Sequence, residues 1–281
     1  MAPEEGSDDQ SSPKRKKPRT TLDKKQISDL LKRISSIYEG IQSSTLALCH
    51  FSDPVQNNHI PWPSPLSPPV DRFEIRKSEN HITFQYMGRS MFQEVFEQAT
   101  GEGFETAFSQ LYLYGPSGVG KSHLLAALVF SLVQKGSRVV YIPNCRAAVK
   151  NPYRRLQAAL LFAFHGDEIL QSAVAEAVDV DDLVKITHAQ LNKSLYLIVD
   201  QYNALDIDEG RKDDAERRKE VLCDALASIG DDQRYIFSAS ANAKSNQLAE
   251  RKQSEIKVIY LNAGMTKVRP PTCSNCLVLY P

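Results

Sequence analysis

Between residues 111 and 261 the chain alternates short unbroken apolar runs with longer stretches of helical periodicity. Leu111–Tyr114, Arg138–Pro143, Leu195–Gln201, Tyr235–Ser240 and Ile256–Leu261 are each long enough for one strand and are apolar over most of their length, the pattern of strands buried on both faces. The intervening stretches, Leu124–Gln134 (stopped by Gly136), Tyr153–Phe164, Glu168–Val178, Asp181–Leu191 and Glu209–Ile229 (stopped by Gly230), repeat apolar positions at three- and four-residue spacing. Strands separated by helices predict an α/β domain: a five-stranded, mostly parallel sheet with helices on both faces.

Upstream, Ile27, Leu30, Leu31, Ile34, Ile37, Tyr38 and Ile41 share one face of an N-terminal helix, with Thr20 and Asp23 offering a cap. That face either docks on the main domain or pairs with a partner helix, including a second copy of the chain. Ile60 to Pro69 is dense in proline and reads as an extended, stiff spacer. Ile82–Tyr86 alternates like a short strand and Met91–Gln98 reads as a helix. The organisation expected is a disordered basic tail (1–20), an amphipathic helix (21–50), a Pro-rich linker (51–71), the α/β domain (72–266) and a C-terminal tail (267–281).

Charge changes this picture only locally. Lys and Arg number 34, as do Asp and Glu, so no global field selects for nucleic acid or membrane. No apolar run reaches the roughly 20 residues of a membrane span, and the first ten residues are acidic and polar, unlike a secretory signal. The five cysteines are scattered, which fits reduced thiols; Cys273 and Cys276 alone have metal-like spacing. Pro13 to Arg19 is a compact basic cluster, and Lys14 to Arg19 is the candidate for an import receptor's acidic groove and hence for nuclear location.

The chemistry concentrates at Tyr114–Leu125. Gly115-Pro116-Ser117-Gly118-Val119-Gly120-Lys121-Ser122 matches G-x-x-x-x-G-K-[ST] in full, between an apolar run and a helix. Glycines let backbone N–H groups close on a polyphosphate, and the helix start adds roughly half a unit of positive charge. The nucleotide contacts expected are Gly115, Pro116, Ser117, Gly118, Val119, Gly120, Lys121, Ser122 and His123. Lys121 is to reach the β- and γ-phosphates, and Ser122 to ligate Mg²⁺.

A buried run ending in an acid supplies the second metal group, Asp200. Gln201 follows it where hydrolytic relatives carry Glu, and an amide can orient a water but cannot take its proton. Ser240, with Ser238 and Asn242 nearby, is the candidate sensor of the γ-phosphate. The expected set is therefore Lys121, Asp200, Gln201 and Ser240 for catalysis, Ser122 and Asp200 for metal, with ATP and Mg²⁺ as cofactors. Asn192-Lys193-Ser194-Leu195 carries Leu where the base-reading motif of a GTPase needs Asp, so ATP is favoured.

The segments Tyr114–Ala127, Arg138–Arg146 and Ile198–Leu205 resemble the P-loop NTPase domain of fungal and oomycete Crinkler proteins, over roughly residues 104–266. The resemblance implies a P-loop NTPase of the ATPase branch, AAA- or STAND-like, acting as a nucleotide-dependent switch or slow ATPase. The first residues do not look like the translocation header of that family, and no effector domain follows, so neither host delivery nor nuclease activity is expected. Slow turnover follows from Gln201 and from the lack of room after the domain for a helical lid bearing an arginine; Arg211, Arg217 or Arg218 from a second protomer are the alternative source. The competing reading is a nuclear interaction protein with a vestigial nucleotide site.

Overall fold

The structure, a computed structural model, describes residues 22–68, 71–77, 82–101, 110–189, 195–206, 213–231, 233–240 and 256–261. Helix α1 (Lys24–Gln42) opens with a capping box: Asp23 accepts from the Gln26 N–H at 2.8 Å and the Gln26 side chain accepts from the Asp23 N–H at 3.2 Å. Its apolar stripe docks on the body of the protein, with Ile34 and Ile41 fully buried and Tyr38 Oη donating to the Phe162 carbonyl. A short α2 (Leu48–Ser52) leads into an antiparallel sheet of β1 (Asn57–Pro61), β2 (Ile75–Lys77) and β3 (Ile82–Met87), in which β3 is central. Helix α3 (Met91–Thr100) then buries Phe92, Val95, Phe96 and Ala99.

The main sheet is built from β4 (Gln110–Gly115), β5 (Arg138–Ile142), β6 (Leu195–Val199), β7 (Arg234–Ser240) and β8 (Ile256–Tyr260). Its order is β5-β6-β7-β4-β8, and every pairing is parallel. All five positions of β6 are buried, as a strand covered on both faces requires. Helix α4 (Lys121–Gln134) follows β4 and is apolar on all sides, with every residue from Leu124 to Val133 buried. Helices α5 (Cys145–Lys150), α6 (Pro152–Ala163), α7 (Glu168–Glu176) and α8 (Val180–His188) lie between β5 and β6, and α9 (Asp214–Gly230) between β6 and β7. The order matters for function: β7 lies between the strand that enters the glycine-rich loop and the strand that ends in Asp200.

The proline-dense stretch is not a spacer. Trp62 is 1% exposed, Ser64 and Leu66 are also buried, and Trp62 Nε1 donates to the Leu66 carbonyl at 2.7 Å. Its ring lies 4.9 Å from Phe73, 5.7 Å from Phe84 and 6.1 Å from Tyr141 of β5, which fuses the antiparallel sheet to the main domain. The prolines fix an extended path while the aromatic ring supplies the burial. The basic cluster Lys14–Arg19, Asn192–Ser194, Asp208–Arg211, Asn242 and the pair Cys273 and Cys276 lie outside the described residues.

His123, the third residue of α4, joins the same aromatic layer, its ring 4.4 Å from Phe73 and 6.3 Å from Phe84. Burial, with a smaller push from the Arg89 guanidinium, lowers its pKa to about 4. The folded pKa lies below the ordinary value, so the neutral ring's contribution is complete above about pH 6.5 and is lost as pH falls toward 4. We predict that His123→Phe, which keeps the ring and removes the titration, flattens the acid limb of stability between those pH values relative to the wild type, by no more than about 3 kcal/mol. Denaturant melts at stepped pH measure it, and parallel acid limbs would refute it.

Candidate functional site

The glycine-rich loop runs from the end of β4 into the first turn of α4, so it sits at the C-terminal edge of the sheet and at a helix N-terminus together. Two of its glycines are required by geometry. A Cβ at Gly115 would run into the Leu261 carbonyl, and Gly120, at φ 86°, would drive one into the Arg89 guanidinium. Lys121 folds back over the loop, its Nζ donating to the carbonyls of Gly115 at 2.7 Å and Pro116 at 2.8 Å. Burial lowers the pKa of this ammonium, the Asp200 carboxylate opposes that fall, and Arg72 adds to it. These effects bring Lys121, Asp200 and Arg72 into one electrostatic cluster.

Asp200 follows β6 directly and is 2% exposed. Its backbone is pinned on both sides, N–H to the Ile142 carbonyl at 2.9 Å and carbonyl from the Cys145 N–H at 3.2 Å. Oδ1 accepts from Ser238 Oγ at 2.5 Å and from the Gln201 N–H at 2.9 Å. Oδ2 is buried without a hydrogen bond and lies 3.7 Å from Arg72 Nη1. Burial raises the pKa of the carboxyl, and the hydroxyls of Ser122 and Ser238, Arg72 and the Gln201 N–H draw it back down.

Gln201 is the one non-glycine residue with positive φ among those described, at φ 63°. The turn from β6 into the 3₁₀ segment Tyr202–Leu205 imposes it, and strain of this kind gathers at functional sites. Its side chain is 7% exposed, with Nε2 buried and lacking a hydrogen-bond partner. Ser240 stands opposite Gly115 in the register of β7 on β4. The strand order thus lets β7 touch both halves of the site, Ser240 beside the loop and Ser238 on the acid.

Among the sequence-derived site residues, the structure gathers Gly115–Ser122, Asp200, Gln201 and Ser240 at one edge of the sheet. The His123 side chain instead packs in the aromatic layer, which leaves its backbone N–H as what it can offer a ligand. Arg217 and Arg218 lie exposed on α9. Two arginines escape a sequence reading. Arg89 Nη1 donates to the Val119 carbonyl at 2.6 Å and braces the loop from behind. Arg72 Nη1 reaches Ser122 Oγ at 3.4 Å, and nothing in its local sequence marks it.

These residues fit a hard divalent cation. Ser122 Oγ and the unbonded Asp200 Oδ2 face the same guanidinium nitrogen, so two oxygen donors already converge on one positive charge. No group of three or more His, Cys, Asp or Glu side chains able to hold a metal occurs among the described residues. One hydroxyl and one carboxylate suit Mg²⁺, which takes few protein ligands and completes its shell with phosphate and water.

No curated protein matches the chain. Among solved structures, a crystal structure of a DNA replication initiation factor aligns at 16% identity and TM-score 0.36, over 62% of this chain and 45% of that one. AMPPCP-bound DnaA from Aquifex aeolicus aligns at 14% and TM-score 0.35, over 62% and 45%. A HORMA:CdnC:Trip13 complex of E. coli MS115-1 aligns at 13% and TM-score 0.31, over 60% of each chain. The chain therefore spans less than half the length of the first two. The family model of Novel STAND NTPase 1 matches residues 78–262, from the strand before α3 through β8 and with it the loop, Asp200 and Ser240. The chain, a P-loop NTPase by its sheet and its phosphate loop, belongs to the Novel STAND NTPase 1 family.

Proposed function

We propose that the chain binds ATP with Mg²⁺ at Gly115–His123 and Asp200, and works as a nucleotide-dependent switch or slow ATPase of the Crinkler-like kind. The observation that carries this is the convergence of Ser122 Oγ and the unbonded Asp200 Oδ2 beside a complete phosphate loop. Lys121, now satisfied by two loop carbonyls, is the mobile cation that exchanges them for phosphate oxygens. Mg²⁺, when bound, supplies charge neutralisation and a fixed orientation of the polyphosphate. Ser238 holds Asp200 in its rotamer, and Ser240 lies where a terminal phosphate would be felt.

Slow turnover rests on Gln201. Its amide can hold a water, and its left-handed backbone fixes where, but it offers no base. The basic cluster Lys14–Arg19 supports a nuclear site of action, with an import receptor as its reader and the regulated target beyond it unidentified. A GTPase is disfavoured by Leu195 in the place of a base-reading acid.

Lys121→Ala is expected to weaken ATP binding by roughly 10- to 100-fold, since it removes charged hydrogen bonds of about 1.5–3 kcal/mol. Titration with a fluorescent ATP reads it, and unchanged affinity would sink the phosphate-loop assignment; a wild type that binds no ATP would favour an interaction protein with a vestigial site. Gln201→Glu is expected to raise single-turnover hydrolysis by about tenfold or more, and brisk hydrolysis by the wild type would show the base to lie elsewhere. Replacing Lys14, Arg15, Lys16 and Lys17 with Ala is expected to abolish nuclear enrichment of a tagged chain, as scored by imaging; equal enrichment would reduce the cluster to a solvated run.

A further inference from the structure

Arg72 lies against the two oxygens that would hold the metal. Its Nη1 is 3.4 Å from Ser122 Oγ and 3.7 Å from Asp200 Oδ2, the two oxygens expected to ligate Mg²⁺. Both distances exceed a well-formed charged hydrogen bond, so the guanidinium neutralises the acid without being locked to it. Its side chain remains 30% exposed, and the neighbouring Asp71, 73% exposed, holds Nε at 3.7 Å from the solvent side. A second acid therefore waits on the way out.

The backbone beneath this side chain is fixed. Phe73 is buried and packs tilted against His123 while Arg72 touches Ser122, so consecutive residues of one segment engage consecutive residues of α4. The Arg72 side chain, by contrast, stays partly open to solvent. The segment lies upstream of residues 78–262, outside the region shared with the family.

We propose that Arg72 is a tethered substitute for the metal ion: it neutralises Asp200 in the nucleotide-free chain, lends its charge to the phosphates of metal-free ATP, and is displaced toward Asp71 when Mg²⁺ enters with the nucleotide. Two cations cannot share one site a few ångströms across, so Arg72 and Mg²⁺ compete. The consequence is an unusually small difference between the affinities for ATP and for ATP–Mg²⁺. The inference rests on the reading that ATP binds at this loop.

The test is a fluorescent-ATP titration of the full chain in excess Mg²⁺ and, separately, in EDTA. Arg72→Gln, which keeps length and polarity and removes charge, is expected to lose about tenfold in EDTA and to keep or gain affinity in Mg²⁺, so that the metal dependence widens by about tenfold or more. Arg72→Lys, which retains the charge, is expected to stay within about threefold of wild type in EDTA, and it carries the test if Arg72→Gln does not fold. An equal loss in both buffers, or an unchanged metal dependence, would overturn the proposal while leaving ATP binding intact. Failure of the wild type to bind ATP in either buffer would overturn both readings.

Discussion

A carboxylate at the middle of the sheet edge, 2% exposed, has to be compensated or it will not ionise. Much of the local architecture answers that demand on Asp200. Ser238 reaches it from the next strand, the Gln201 N–H folds under it, the Ser122 hydroxyl favours its charged form, and Arg72 faces its other oxygen. The parallel order that inserts β7 between β4 and β6 brings a serine to the acid and another to the loop. A sheet with β4 directly against β6 would have no strand placed to do both.

The elements legible in the sequence were those whose identity is decided locally. Buried strands such as Leu195–Val199 admit no polar residue, and a phosphate loop admits few substitutes for its glycines, whereas the cap expected from Thr20 and Asp23 is built instead by Asp23 with Gln26. What stayed hidden was decided across long sequence separations. Arg72 acts on Ser122 and Arg89 on Val119 through folds that no local pattern encodes. Ile60 to Pro69 reads as a spacer because proline excludes helix, and composition cannot show that Trp62 finds Phe73, Phe84 and Tyr141. The short strands β1 and β2 exist because β3 pairs with both, and the three-residue β2 has no pattern of its own.

The N-terminal part is consequently built into the nucleotide-binding body. Trp62 and Phe73 form a layer over the start of α4, and α1 lies on α6 through Tyr38 and Phe162, whose rings are 4.8 Å apart. The segment that contributes Arg72 is thus as firmly seated as the loop it faces.

Helix α4 joins these two ends of the molecule. Fourteen residues long, it spans about 21 Å, and because every side of it is packed it behaves as a strut. Its first turn frames the phosphate cradle. Its last turn grips the N-terminal helix region, the Val133 carbonyl accepting from Gln42 Nε2 at 3.1 Å and Gln134 Nε2 donating to the Ser44 carbonyl at 2.9 Å. The helix thereby ties the residues that frame the cradle to the junction after α1 through one continuous, fully packed element.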